Sequence, residues 1–404
     1  MTFEEDYLKL TGQIGNFTKE VTGINLVDAY FGPKNLSPEK AKRRLTPEKL
    51  LTNLDTILEK AKEIDDELRR IAIMSDLESL KVVVKWLSGE NIPYARLVEG
   101  IFGITPSKFG QNEIRKAQQI VEDTCVILPG SDITRKILKW DEDNKISGDA
   151  LKKFVDTEVI ERTKEITRLF EKRIFLHLPT KIKNKGVIYK TVTGEPWGGY
   201  NYYQGNYTSV NVFNIDMPFN RYRLIAALWH EYEHHVANLF IEKYYQENKA
   251  LDLSAILLHT KRCIIGEGTA DCVREFIGLK LGGEYSELIE SLSNLRSMLS
   301  LNAAYMLNVE NADDETVAEY IASEGFRPIA ETRKLRFSKP LTPDGKPNFF
   351  KPYVYTYFFG QRDYVLPTFQ KAQKNDKVKE FFQTLYLNPY SRSSATWKIA
   401  FSKI

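Results

Sequence analysis

The chain has 404 residues, 42% of them apolar and 27% charged, and no stretch has the composition of a disordered segment. Its 57 basic and 54 acidic side chains are mixed along the whole length for a net charge of +3, so no basic stripe marks a nucleic-acid surface and no nucleic-acid partner is expected. The longest apolar runs, 224–229 and 354–359, fall far short of the roughly 20 residues that a spanning helix needs, so no membrane partner is expected either.

The first residues, Met1-Thr2-Phe3-Glu4-Glu5-Asp6, are acidic and lack the basic start and apolar run of a secretory signal. Cys125, Cys263 and Cys272 are too few and too unevenly spaced for a disulfide framework, and no C-x-x-C pair suggests a cysteine zinc site. The expectation is a soluble protein of the reducing cytoplasm.

Residues 37–175 read as successive amphipathic helices, with apolar residues three and four apart in 50–68, 71–87 and 114–127. Pro38 and Pro47 each follow Ser or Thr and precede Glu, a pattern that predicts helix starts there. The texture changes at 173–179 and again over 186–216. There β-branched and aromatic residues cluster between glycines, as in Val187-Ile188-Tyr189 and Ser209-Val210-Asn211-Val212-Phe213, and a small sheet is predicted. Helical periodicity returns over 220–245, 255–281, 286–307 and 315–323. A second aromatic segment, 349–364, precedes a last helical stretch at 368–387. The predicted class is mainly α (α+β), with a small antiparallel sheet inside a large helical body. A helical region over 1–172 is followed by a region over 173–404 that holds the site, and the two are open to packing as one body around a groove.

Within the helical segment 220–245 stands His230-Glu231-Tyr232-Glu233-His234. Residues four apart on a helix lie one above the other, so the two imidazoles can reach one ion. Glu231, one residue round, falls beside the metal, where it can take a proton from a bound water. With 5 histidines in the chain and glutamate taken as about 8%, such a match arises by chance in roughly 0.5% of chains of this length, which favours the metal reading. The flanks 224–229 and 236–240 are apolar nearly all round, so the helix is predicted to be buried, and a buried helix needs a reason to carry so many polar residues. Glu233 and His235 fall off the ligand face. His235 reads either as a group behind the ligands or facing substrate, or as a packed histidine.

A catalytic zinc takes three protein ligands and keeps a position open. The run Gly266-Glu267-Gly268-Thr269-Ala270-Asp271 supplies the third candidate, Glu267, and its small residues would let the backbone approach the first helix. Asp271, one turn on, could accept a hydrogen bond from a ligand imidazole and fix its tautomer. Glu275 is the reserve ligand.

This set, His230, Glu231, His234 and Glu267 with Asp271, resembles the gluzincin group of zinc metallopeptidases. In that group a glutamate of a downstream helix is the third ligand, often followed by an aspartate four residues later. The resemblance covers 198–281 by motif, implies one catalytic Zn2+ in a zincin-like core, and extends more loosely to a helical body similar to the carboxypeptidase Taq and oligopeptidase architecture. The step from 234 to 267 is longer than in thermolysin-like enzymes, and no H-x-x-G-x-x-H follows the motif, which rejects the metzincins.

Peptide hydrolysis at such a site also wants a second donor for the oxyanion, and Tyr357 and Arg362, in the aromatic segment after the ligands, are the candidates. The stretch 198–207 precedes the motif through a predicted strand, and its glycines and tyrosines suit an edge that pairs with extended substrate. The expected function is therefore a zinc peptidase acting on a peptide substrate, with Glu231 as base and then acid. A carboxypeptidase is favoured if Arg362 or a nearby lysine holds the terminal carboxylate. The rival is a non-catalytic zinc-binding helical scaffold, which would close the fourth position with protein.

Overall fold

The computed structural model describes residues 2–41, 45–195, 197–280, 282–333 and 338–404. The first part of the chain forms helices α1 (Phe3–Thr22), α2 (Pro47–Ala61), α3 (Glu67–Leu87), α4 (Tyr94–Phe102), α5 (Gln111–Thr124), α6 (Ile133–Asp143), α7 (Gly148–Phe154) and α8 (Ile160–Arg173). Strands β1 (Val27–Tyr30) and β2 (Lys145–Ile146) interrupt them. Strands β3 (Val187–Val192), β4 (Gly199–Gly205), β5 (Thr208–Asn214) and β6 (Phe219–Asn220) lead into the long helix α9 (Arg221–Asn248), followed by β7 (Ala255–Leu257), α10 (Lys261–Asp271) and α11 (Val273–Ile277). The rest is α12 (Ser286–Asn308), α13 (Asp314–Glu324), α14 (Ile329–Thr332), α15 (Val354–Phe359), α16 (Leu366–Lys374), α17 (Val378–Leu387) and α18 (Trp397–Ala400).

The class is mainly helical with small sheets, as the periodicity predicts. The largest sheet has the order β3-β5-β4, with β4 antiparallel to β5 and β3 parallel to it, while β1 pairs with β7 and β2 with β6, both antiparallel. The 172/173 division falls at the end of α8, and one contiguous buried cluster runs across it, from Tyr7 and Leu8 to Phe401 and Ile404. The β1–β7 pairing brings residues near the start of the chain to the segment that leads into α10.

Several expectations are corrected. Pro47 does open α2, behind a Thr46 side chain that accepts the Lys49 N–H, but Pro38 opens only a single 3-10 turn, Pro38–Lys40. The periodic stretch 50–68 is split, because Asp66 caps a new helix by accepting the Arg69 N–H. Helix α1 is not foreseen by the periodicity: Gly12 and Gly15 sit in its interior, where Pro38 and Asn25 close against the backbone. The aromatic segment is helical, α15 running through a π-helical turn at Gly360–Val365 into α16. Leu281, the end of one expected helical stretch, lies outside the described residues.

Two faces of α9 organise the molecule around the motif. Asn220 caps its start by accepting the Tyr222 N–H. Glu231, His235 and Glu242, at spacings of four and seven, share the face under the β4–β5 hairpin. Glu242 accepts the backbone N–H groups of Asn206 and Tyr207 at 3.0 Å each and the Tyr203 hydroxyl at 2.5 Å, which fastens the hairpin turn to the helix. Asn206 and Tyr207 have φ of 54° and 63°, the double positive φ of a tight hairpin turn with the twist of its strands. His235 is fully buried and neutral, accepting from Ser209 of β5 at 2.8 Å and donating to Asn184 Oδ1 at 2.9 Å. Of the two readings left open for His235, the packed one holds. Burial without a compensating anion pushes its pKa down to about 3.

Candidate metal centre and its two cavities

The neighbouring face of α9 carries His230 and His234, and α10 presents Glu267 to them. His230 Nε2 and His234 Nε2 are 3.0 Å apart, and Glu267 Oε2 lies 3.1 Å from the first and 3.5 Å from the second. His230 Nδ1 is 2.8 Å from Asp271 Oδ1, so in the neutral ring Nδ1 donates to the carboxylate and Nε2 is left as a lone pair aimed at the other two atoms. Three nitrogen and oxygen atoms converging in this way could hold a cation between them. Ligand atoms of a tetrahedral zinc at about 2.0–2.1 Å stand about 3.3–3.4 Å apart, close to the triangle observed. Among the described residues, this is the group of three His, Cys, Asp or Glu side chains with ligand atoms near enough to hold an ion.

The electrostatics agree. Burial disfavours the imidazolium of His230, yet Asp271 and Glu267 outweigh it and raise its pKa well above the usual value. Burial alone would raise Glu267 too, but the His234 and His230 rings hold its carboxyl well below the usual range. A pocket that favours positive charge this strongly suits a divalent cation. Glu231 is not a member of the triangle. Its carboxylate lies beneath β4, where a side chain at Gly199 would come within 3.7 Å of Oε1, and burial raises its pKa. Asp271 sits where the sequence places it, one turn beyond Glu267 and against His230. Glu275 does not reach the group; it belongs to α11 and pairs with Arg274 at 3.2 Å.

Two further calls fare differently. The Tyr357 ring lies 5.9 Å from the His230 ring and tilted to it, and its hydroxyl makes no hydrogen bond to protein among the described residues. Desolvation by the cavity walls, with Glu267 and Glu231 nearby, raises its pKa although the side chain is 40% exposed, so the phenol stays a donor. Arg362 is not brought to the triangle: its guanidinium pairs with Asp363 at 2.7 Å and lies 4.6 Å over the Phe359 ring. The residue that sequence reasoning missed is Tyr353, whose hydroxyl donates to Glu267 Oε1 at 2.7 Å. Its signal was the spacing of four to Tyr357, which puts both phenols on one helix face.

One of the small residues of α10, Gly268, faces a partner that the sequence does not announce. A Cβ at Gly268 would lie 2.2 Å from the Gly360 carbonyl carbon, and a Cβ at Gly360 would lie 2.1 Å from the Ile264 oxygen. At Gly268 the closest backbone approach is to the π-helical turn after α15, while α10 also packs against α9 and brings Glu267 to its histidines. The contact at Gly268 brings Tyr353 and Tyr357 over Glu267 and His230. π-Helical turns of this kind recur at functional sites.

The triangle separates two cavities. An inner one of about 200 Å³ is lined by Asp28, Gly199, Tyr200, Asn201, His234 and Glu267, and extends to Tyr7 and Asp76. An outer one of about 810 Å³ runs past Trp229, Asp271, Gln361 and Arg362. His230 and Tyr357 line both. The edge strand β4 borders the inner cavity through Gly199–Asn201 residues at its start.

No protein-family model matches the chain, and no curated protein matches it. Among solved structures it is similar to one described as "putative lipoprotein from Colwellia psychrerythraea", with a TM-score of 0.57 and 14% identity over 88% of this chain and 67% of that one. That likeness speaks for the fold alone. Among the described residues, no helix is long and apolar enough to cross a membrane.

Proposed function

We propose that the protein is a zinc-dependent peptidase of gluzincin type, with His230, His234 and Glu267 as the metal ligands. The observation that carries this reading is the convergence of three lone-pair atoms at 3.0 to 3.5 Å, with Glu231 beside them on the wall of the same cavity. Zinc held there would supply Lewis-acid polarisation of the scissile carbonyl and a water acidified toward neutral pH.

The chain's own groups account for the remaining steps. Asp271 fixes the His230 tautomer and ring orientation, and Tyr353 holds the outer oxygen of Glu267 so that Oε2 stays aimed inward. Glu231, with its raised pKa, accepts the proton of the attacking water and passes it to the departing amine. Tyr357, a phenol without a protein partner, donates to the carbonyl oxygen as negative charge builds on it. Arg362, engaged with Asp363, gives no support to a clamp on a substrate carboxylate.

A non-catalytic zinc scaffold would fill the fourth position with a side chain and has no use for a general base. The three-residue group, open to cavities on two sides, speaks for catalysis. The three cysteines are buried and unpaired, which supports a reducing, cytoplasmic setting. The test is Glu231→Gln: the variant should bind one zinc per chain like the wild type while peptide hydrolysis falls by at least a thousandfold. Normal turnover in that variant would refute the assignment of the base.

A further inference from the structure

The inner cavity runs from the triangle to a buried wall. Its far wall is built from nearly inaccessible side chains, among them Tyr7 at 2% exposure, Asp76 at 1% and Leu253 at 3%. With a volume of about 200 Å³ against about 810 Å³, the inner cavity has room for the shorter part of a substrate and the outer one for the longer. A substrate with its scissile bond at the triangle would thus place its shorter end inward.

Charge decides which end of the peptide that residue belongs to. The acids at the deep end are already matched: Asp76 pairs with Arg262 at 2.7 Å, and Asp252 pairs with Arg69 at 2.6 Å. Arg392 keeps one nitrogen without a partner, but its charge is matched by Glu233 at 3.2 Å. Glu231 and Glu267 would face the two positive charges of a bound zinc. Asp28 differs. Its partner is the neutral Tyr200 hydroxyl, and no cationic side chain lies within ion-pair distance of it among the described residues. It lines the same cavity as His234, Glu267 and Glu231, and the Tyr200 that holds it follows Gly199, which lies over Glu231 Oε1. The α-ammonium of a substrate's first residue is one carbon removed from the scissile carbonyl, so it must bind near the metal and not at the bottom of the chamber.

Building on the peptidase reading, we propose that the enzyme is an aminopeptidase in which Asp28, held by Tyr200, receives the free α-ammonium of the substrate while the first side chain fills the inner chamber. Hydrolysis adds one water across the first peptide bond. The hydroxyl joins the carbonyl carbon of the terminal residue, the C–N bond breaks, and the proton carried by Glu231 goes to the amine of the shortened peptide.

The test uses the zinc-loaded full chain and one peptide sequence in three forms, with free ends, with an acetylated N-terminus and with an amidated C-terminus, the products read by mass spectrometry. The free and C-amidated forms should be trimmed by one residue from the N-terminus, and the acetylated form should react at least a hundredfold more slowly. In Asp28→Asn, KM for the free peptide should rise tenfold or more at unchanged zinc content, and the discrimination against the acetylated form should shrink. Equal cleavage of the acetylated form, or trimming from the C-terminus, would overturn the assignment of Asp28 while leaving a peptidase. A loaded wild-type enzyme that cuts none of the three would overturn the peptidase reading as well.

Discussion

Tyr353 donates its hydroxyl to Glu267 Oε1 at 2.7 Å, from the turn that opens α15 and 86 positions further along the chain. The bond engages one oxygen of the carboxylate and leaves Oε2 facing His230 and His234. Removing the donor strands a buried charged oxygen and frees the carboxylate to rotate. Tyr353→Phe should therefore weaken zinc binding by about 10- to 100-fold with little change in fold. Competition with a zinc-chelating dye reads this directly, and an unchanged affinity would remove Tyr353 from the site.

Tyr357 should separate from Tyr353 in its effect. Its hydroxyl touches no ligand, so Tyr357→Phe should keep zinc affinity and lose about 10²- to 10³-fold in kcat, as expected for loss of one oxyanion donor. Steady-state kinetics on a fluorogenic peptide, with metal content measured on the same preparation, tests the split. A fall in KM or zinc content in place of kcat would contradict it.

Gly268 and Gly360 leave no room for a methyl group between α10 and the turn after α15. Gly268→Ala should destabilise the protein by at least about 2 kcal/mol, because the atoms it meets are backbone and cannot rotate away. Thermal unfolding of the variant should show a clearly lowered midpoint. A stability equal to wild type would mean that the two elements are not in backbone contact.

His259 predicts a pH dependence of stability. It is fully buried, stacks on Phe349 at 3.9 Å, and donates to the Phe349 oxygen at 2.7 Å. Burial lowers its pKa from 6.5 to about 3. Below pH 6.5 the unfolded chain takes up a proton that the folded chain refuses, so stability present at neutral pH is lost as pH falls, by about 1.4 kcal/mol per unit between 6.5 and about 3. His259→Phe should flatten the wild-type slope by about that amount, measured by denaturant unfolding at pH 7, 6 and 5. Identical slopes would show that His259 is not held neutral.

What the sequence made legible follows from how local each relationship is. The two histidines and Glu231 share a helix, so their geometry follows from spacing alone, and the step from Glu267 to Asp271 is again one turn. The helical class was readable from periodicity for the same reason. The spacing to Tyr357 hinted at Tyr353 but not at its bond to Glu267, and Asp28 was not legible, because each reaches the site through tertiary packing, one by the α10–α15 contact and the other by the pairing of β1 with β7. Arg362 stands five positions after Tyr357, off the face that Tyr353 and Tyr357 share, and so turns to Asp363. The glycines of α10 announced a close approach but not its partner, since nothing local tells which helix carries the matching Gly360. Helix α1 had a readable start, with Thr2 and Glu5 forming a reciprocal cap, but its two interior glycines hide the period.

The central claim is the ligand set, and X-ray absorption at the zinc edge of the metal-loaded protein tests it most directly. The account predicts one zinc per chain with two imidazole nitrogens and oxygen ligands at about 2.0–2.1 Å and no sulfur. A sulfur shell at about 2.3 Å, a third imidazole, or no bound zinc would contradict it.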